Sequence, residues 1–305
     1  MSEHVLVIGE TLVDVVIGPE GTAAHPGGSP ANVALGLARL GREVDLVTHL
    51  GLDPNGLLCA DHLQDNGVRL TPGSAGPGVT SVATATLDAA GAATYDFDIT
   101  WSLEAGVRLR NAPLAVHTGS IAAVMEPGAA EVLKLVRILR YNSTITYDPN
   151  VRPSLMGDPA QARAAIERFV ALADVVKASD EDLAWLAPGE DHAAVARDWA
   201  SRGPAFVVVT RGGAGAIAYL ADGREVAVSA PTVTVADTVG AGDSFMSGIV
   251  DGLWEAGLLG GSHREELRAI TDESLAAVLA RCARIAAITV SRPGANPPTR
   301  AELDA

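Results

Sequence analysis

Along most of its 305 residues the chain alternates short β-rich runs with helical patterns, and this alternation leaves few folds open. The runs fall at His4–Gly9, Glu43–Leu50, Leu114–Thr118, Thr144–Asp148, Asp174–Ala178 and Phe206–Thr210. Helical periodicity fills the intervals, near Pro30–Leu40, Asn55–Asp65, Pro127–Tyr141, Pro159–Leu172 and His192–Ser201. Strands joined through helices lie parallel, and a parallel sheet needs helices on both of its apolar faces. We therefore expect an α/β fold with a central, mainly parallel sheet flanked by helices. Two stretches break the rhythm. Val13–Ile17 and Thr80–Phe97 read as strands without helices, the second turning at Ala89–Gly91. Polar and apolar residues alternate over Thr80–Leu87, as in a half-exposed hairpin standing off the main sheet.

Hydrophobic residues make up 48% of the chain, enough for a sizeable core, and no linker or repeat divides it. A net charge of −15 disfavours general binding to nucleic acid or to an anionic membrane. A local seat of backbone amides can still take an anionic ligand. Cys59 and Cys282, the two cysteines, lie in no metal-ligand spacing and suit a reducing compartment. His4 leads straight into Val5-Leu6-Val7-Ile8 with no basic flank and long apolar region. Leu275–Val290 is broken by Arg281 and Arg284, so it reads as a core helix and not as a membrane span. A cytoplasmic location is the expectation.

Asp237-Thr238-Val239-Gly240-Ala241-Gly242-Asp243 carries the most chemistry. Its glycines allow a tight turn that aims several amides at one point, and an apolar-periodic helix follows through Phe245, Ile249 and Leu253 towards Gly257. Bare amides at a helix N-terminus seat an anion. Asp243 at the rim would repel a resting phosphate. It makes sense as a base that takes a proton from a hydroxyl attacking a phosphoryl group held in the seat; as a plain acidic helix start it needs no ligand.

Three other segments follow strand ends or open helices. In Gly27-Gly28-Ser29-Pro30-Ala31-Asn32, Ser29 suits a helix cap, Pro30 its first turn, and Asn32 offers both a donor and an acceptor. Asp14 follows the first strand, where α/β proteins bind ligands, and can accept from two neighbouring hydroxyls of a polyol. Arg152, in Asp148-Pro149-Asn150-Val151-Arg152-Pro153, suits a phosphate, carboxylate or sugar oxygen, or else a loop salt bridge. No Gly-x-x-x-x-Gly-Lys-Ser/Thr loop is present, and a single glycine after the first strand does not make a dinucleotide fingerprint.

Together these segments resemble the PfkB family of ribokinase-like carbohydrate kinases over nearly the whole chain. Gly27-Gly28-x-x-x-Asn32-x-Ala34 is similar to the first family signature and Asp237–Asp243 to the second; Gly51-x-Asp53-x-x-Gly56, Thr210-x-Gly212-x-x-Gly215 and Gly294-Ala295 add further segments. The resemblance implies one ribokinase-like domain over 1–305, with a small β-sheet lid from about 12–26 and 79–101. It implies transfer of the ATP γ-phosphoryl to a sugar or nucleoside hydroxyl with Mg2+. By position Asp243 is the base, and Gly240, Ala241 and Gly242 form the anion hole. Asp14, Gly27, Gly28, Asn32 and Arg152 meet the sugar. Lys177, Thr210, Gly212, Gly215 and Gly294 lie where the nucleotide binds. Asp182 stands in the magnesium motif, but Ser179 replaces its Asn, which implies contact through water. Asp237 matches a monovalent-cation position, with K+ used by part of the family. A lid with an exposed sheet face suits a homodimer.

Gly9-Glu10-x-Leu12-x-Asp14, Gly-Gly-Ser-Pro-Ala-Asn, Asp148-Pro149-Asn150-x-Arg152-Pro153 and Lys177-x-Ser179 resemble the fructokinases. Ribokinase, 2-keto-3-deoxygluconate kinase, nucleoside kinase and a catalytically silent sugar- or nucleotide-binding regulator remain as alternatives. Tyr95–Trp101 holds Asp96 and Asp98 and no arginine, which argues by repulsion against a sugar acid. Trp101 is a candidate to cover a sugar ring or stack on a base, or simply to pack the lid.

Overall fold

The computed structural model describes residues 3–18, 21–87, 93–103, 107 and 109–305. Nine strands form the main sheet, in the order Glu225–Val228, Ala216–Leu220, Phe206–Thr210, Val175–Ser179, Thr144–Asp148, Ala115–Gly119, Val5–Ile8, Val44–Val47, Val68–Leu70. Seven are parallel; the first two are an antiparallel edge formed by consecutive hairpins. The central strands are buried on both faces, which is why Val5–Ile8 reads as an unbroken apolar run, while Ala115–Gly119 and Thr144–Asp148 bury His117, Thr144 and Thr146 as well.

Alternation sorts their side chains into two cores. Val5, Val7, Ala115 and Val208 meet the helices Ser29–Arg39, Ala241–Glu255 and Asp272–Val290 on one face. Leu6, Ile8, Val116 and Val207 meet Gly128–Leu139, Pro159–Val170 and His192–Ser201 on the other. Val5–Ile8 and its neighbour Ala115–Gly119 send the chain to helices on opposite faces, so a crevice opens at their carboxyl ends. The rear of the helix Ala241–Glu255 is fixed by buried Asp251, which accepts from Arg42 Nε at 2.8 Å, Arg281 Nε at 3.1 Å and Arg300 Nη2 at 2.5 Å. Removing that carboxylate would take a buried partner from three guanidinium groups at once, so the helix has little freedom to shift.

A second, four-stranded sheet runs Gly21–Gly27, Leu12–Gly18, Val82–Leu87, Ala93–Asp98. Its register sets His25, Asp14, Ala83 and Phe97 on one rung, and His25-side neighbours Val16, Ala85 and Tyr95 fall on the same face two residues on. The expected turn at Ala89–Gly91 lies outside the described residues. Among the described residues, no helix is long and apolar enough to cross a membrane.

Candidate active site

A cleft of about 850 Å³ follows the carboxyl ends of the main sheet from Glu10 to Thr210, and the second sheet closes over one end of it. That is the size and placement of a small-molecule site. Gly240 adopts left-handed backbone, φ 75°, and the helix starts at Ala241. Gly240, Ala241, Gly242 and Asp243 all line the cleft, so the amide end of a fifteen-residue helix faces it, with Ala241 N donating to Thr238 O at 3.3 Å.

Asp243 is buried in the first turn and makes no cap of its own helix. Its Oδ1 accepts from Ser29 Oγ at 2.7 Å and from Asn150 Nδ2 at 3.4 Å; its Oδ2 accepts from Asn32 Nδ2 at 2.8 Å. Three neutral donors from two other elements therefore fix the carboxylate. Ser29 does not cap its helix as its position in the sequence predicts: Gly28 is the cap residue, no side-chain cap bond forms, and the Ser29 hydroxyl is spent on Asp243. Both Ser29 and Asn150 escape a sequence reading because their partner lies 214 and 93 residues away.

Lys177 stands behind the amide seat. Its Nζ lies 2.7 Å from Asp148 Oδ2, with both side chains buried, and a Cβ on Gly242 would come within 2.9 Å of it. Glycine at 242 thus leaves room for an ammonium against the helix end. Burial alone would lower the Lys177 pKa, but the carboxylates of Asp148, Asp182 and Asp243 outweigh it and hold the group above its ordinary value. Burial pushes the Asp148 carboxyl up to about 6 against the pull of Lys177, with Asp182 and Asp243 adding to the rise.

At the covered end, Asp14 lies tight against Gly27, where a Cβ would meet its Oδ2 at 2.1 Å. Burial raises the Asp14 pKa; Arg152 and His25 oppose the shift and Asp243 adds to it. Arg152 Nη1 donates to Asn150 Oδ1 at 2.7 Å and to Val151 O at 3.0 Å, so among the described residues it bonds its own loop and forms no salt bridge. Phe97 and Ala83 face the cleft from the second sheet. Asp96 and Asp98 alternate to its other face, so the expected repulsion of a sugar acid loses its carriers, and an apolar surface takes their place. Trp101 is also corrected. It is buried away from the cleft, donates from Nε1 to Ala122 O at 3.2 Å and lies against Gly128.

The open end has different materials. Thr210, Gly212 and Gly215 line it, facing Val233 and Val235, with Ala283, Ala286 and Ala287 from the helix Asp272–Val290. Those alanines were not anticipated, although their spacing puts them on one helical face. Gly27, Asp237 and Gly294 stand behind the lining. Asp237 accepts from Val239 N at 3.0 Å and Gly294 N at 2.8 Å, and these bonds lower its pKa. Gly294 is thus brought to Asp237 and not to the nucleotide-sized space it was expected to line. Asp182 lines the cleft, but its Oδ1 accepts from Val151 N and its Oδ2 from Ser179 N, each at 2.7 Å, in a capping box. Among the described residues no group of three or more acidic, histidine or cysteine side chains could cage a metal.

The model of the pfkB family carbohydrate kinases matches residues 2–302. Fructokinase of Rhizobium leguminosarum bv. trifolii is 35% identical over 82% of this chain and 79% of its own length. Fructokinase of Escherichia coli is 30% identical over 100% of this chain and 99% of its own. Among solved structures, fructokinase with bound ATP from Xylella fastidiosa superposes with a TM-score of 0.85 at 25% identity, covering 99% of this chain and 97% of that one. Aminoimidazole riboside kinase from Salmonella enterica, complexed with aminoimidazole riboside and an ATP analog, gives 0.79 at 26%, covering 99% of each. A ribokinase-like α/β fold with an anion seat and a buried aspartate in one cleft defines a phosphotransferase that uses an alcohol as acceptor. The chain belongs to the pfkB family of carbohydrate kinases, and within it is fructokinase-like.

Proposed function

We propose that the chain transfers the γ-phosphoryl group of ATP to a primary hydroxyl of a small neutral sugar, with fructose as the preferred acceptor. The observation that carries this is Asp243, held by Ser29, Asn32 and Asn150 beside the bare N-terminus of its helix, with Lys177 behind. Asp14, Gly28, Asn32 and Arg152 hold the sugar, with Gly27 leaving space for the Asp14 carboxylate. The attacking hydroxyl gives its proton to Asp243, and the amides of Gly240, Ala241 and Gly242, helped by Lys177, stabilise charge on the transferred group. Thr210, Gly212 and Gly215 border the nucleotide, whose base lies against the apolar wall. The fructokinase relatives support fructose as that acceptor, and Asp14, Asn32 and Arg152, which all line the cleft, offer a polyol several hydrogen-bonding groups.

The second sheet acts as a lid on one domain of 1–305, its parts at about 12–26 and 79–101, keeping water from competing as the acceptor. Magnesium neutralises the phosphates when bound. The residues here fit an ion brought largely by the nucleotide and its waters, with Asp182 touching it through water, since both Asp182 oxygens already accept from backbone amides. Asp237, joining the loop ahead of the helix to the turn at Gly294, supports a K+ site there. The rung Val16, Ala85 and Tyr95 leaves apolar surface beyond the cleft, with Tyr95 63% exposed, and supports a homodimer through the lid; a solution mass near that of one chain would refute it.

Release of ADP from ATP over a panel of fructose, ribose, 2-keto-3-deoxygluconate and nucleosides tests the reading. Fructose should give the highest kcat/KM. Preference for a nucleoside, the kind of acceptor named for the Salmonella neighbour, would replace fructose in it.

A further inference from the structure

Among the described residues, two non-glycine residues have left-handed backbone: Ser120, φ 53°, and Asn150, φ 35°. They stand just past the carboxyl ends of the paired strands Ala115–Gly119 and Thr144–Asp148, and both line the covered end of the cleft. Such backbone is strained for a side-chain-bearing residue and persists only where its surroundings impose it. Each has a buried carboxyl that does so. Asp148 Oδ1 accepts from Asn150 N at 3.1 Å. Glu10, two residues past the strand Val5–Ile8 that pairs with Ala115–Gly119, accepts from the Ser120 hydroxyl and, through Oε2, from Ala122 N at 3.3 Å.

Glu10 is almost wholly buried yet reaches the cleft beside Arg152. It takes no part in the proton transfer described above. Burial of a carboxyl costs free energy unless its bonds do something the fold needs. The turn it holds, Ser120–Ala123, contributes Ser120 and Ile121 to the sugar end, and Ala122 O of the same turn receives Trp101 at the end of the lid. Glu10 thus joins the first strand, the strained turn and, through that turn, the lid.

We propose that Glu10 is a positioning residue for the sugar: by pinning Ser120 and Ala122 it sets the wall against which the acceptor is held, as Asp148 does for Asn150. The inference rests on the kinase reading. The nucleotide end shares none of these contacts, so the effect is confined to the acceptor. The charged side chain acting on Glu10 is Arg152, from the loop after Thr144–Asp148; the turn presents the Ser120 hydroxyl and the amide of Ala122.

The test is steady-state kinetics on the best sugar of the panel for the parent, Glu10→Ala, Glu10→Gln and Ser120→Ala. Glu10→Ala should raise the sugar KM about tenfold or more and leave the ATP KM within about twofold; Ser120→Ala should do the same to a smaller extent, about threefold. Glu10→Gln keeps an oxygen that accepts from Ala122 N, and should restore most of the loss. Ser120→Ala keeps the test open should Glu10→Ala not fold. Sugar KM values that stay within about twofold in both truncations, or ATP KM values that rise equally, overturn the proposal. A parent inert towards every sugar defeats the kinase reading and this inference together, whereas an active parent with unmoved variants defeats this inference alone.

Discussion

The two ends of the cleft are made differently. At the covered end, Asn32, Asn150, Arg152 and Asp243 form a set of polar side chains bonded to one another, with Asp14 lining the same end. At the open end, glycines, valines and alanines form an apolar wall, with Thr210 among the polar side chains that border it. One end is built to discriminate by hydrogen bonds that are costly to leave unmade; under the proposed function the other takes the nucleotide by shape and backbone. On the proposed reading the chemistry and the choice of acceptor belong to the covered end, and substitutions should separate the two.

The largest separation is expected from Asp243→Asn. The amide keeps the size of the carboxylate but cannot take the proton, so kcat should fall about 10³-fold or more while ATP and sugar still bind. Rapid-quench measurement of ADP, with calorimetric titration of each ligand, reads both. Turnover close to the parent's would remove Asp243 as the base and, with it, the contrast between the two ends.

A smaller effect concerns pH, through the buried carboxyl of Glu10 at the covered end. Burial raises Glu10 from 4.5 to about 7, opposed by bonds from Ser120 and Ala122 and by Arg152. The folded chain thus holds this proton more tightly than the unfolded one. Its contribution to stability is fully present below about pH 4.5 and is lost as pH rises through about 7. Glu10→Gln has no such proton, so the stability of the parent relative to the variant should drop by at most about 3 kcal/mol between pH 5 and pH 8. Urea unfolding of both at the two pH values measures it. A difference that does not change with pH means that Glu10 titrates as a solvated acid.

How much of this could be read in advance follows the same division. The parallel strands were legible because burial on both faces leaves an apolar run, as in Val5–Ile8. Gly21–Gly27 was not, since Gly-Thr-Ala-Ala-His-Pro-Gly has little preference for a strand and is largely exposed; it exists through its pairing with Leu12–Gly18. Asp243 and its glycines stood out because turn, amide seat and acid are contiguous. Ser29 reads as a cap by every local rule, and only the approach of a helix more than two hundred residues later gives its hydroxyl another partner. The strain at Ser120 has no local signature, being held by Glu10 from a distant segment, whereas Asn150 is held by Asp148 two residues before it, a turn that Asp148-Pro149-Asn150 carries locally. The amide turn at Gly240–Asp243 is a local motif, whereas the wall at the covered end is largely tertiary.

The smallest expected effect sharpens the contrast from the open end. Ala286 is only partly buried and lines the cleft from the helix Asp272–Val290. Leucine there suits a helix as well as alanine nearly does, so the fold should hold. The added carbons would project into the space meant for a flat base, with no hydrogen bond to lose. Ala286→Leu should raise the ATP KM about tenfold and leave the sugar KM and the pH dependence of stability within error of the parent. Equal rises in both KM values would mean that the two ends move as one body when a ligand enters, and that the lid senses the nucleotide as well as the sugar.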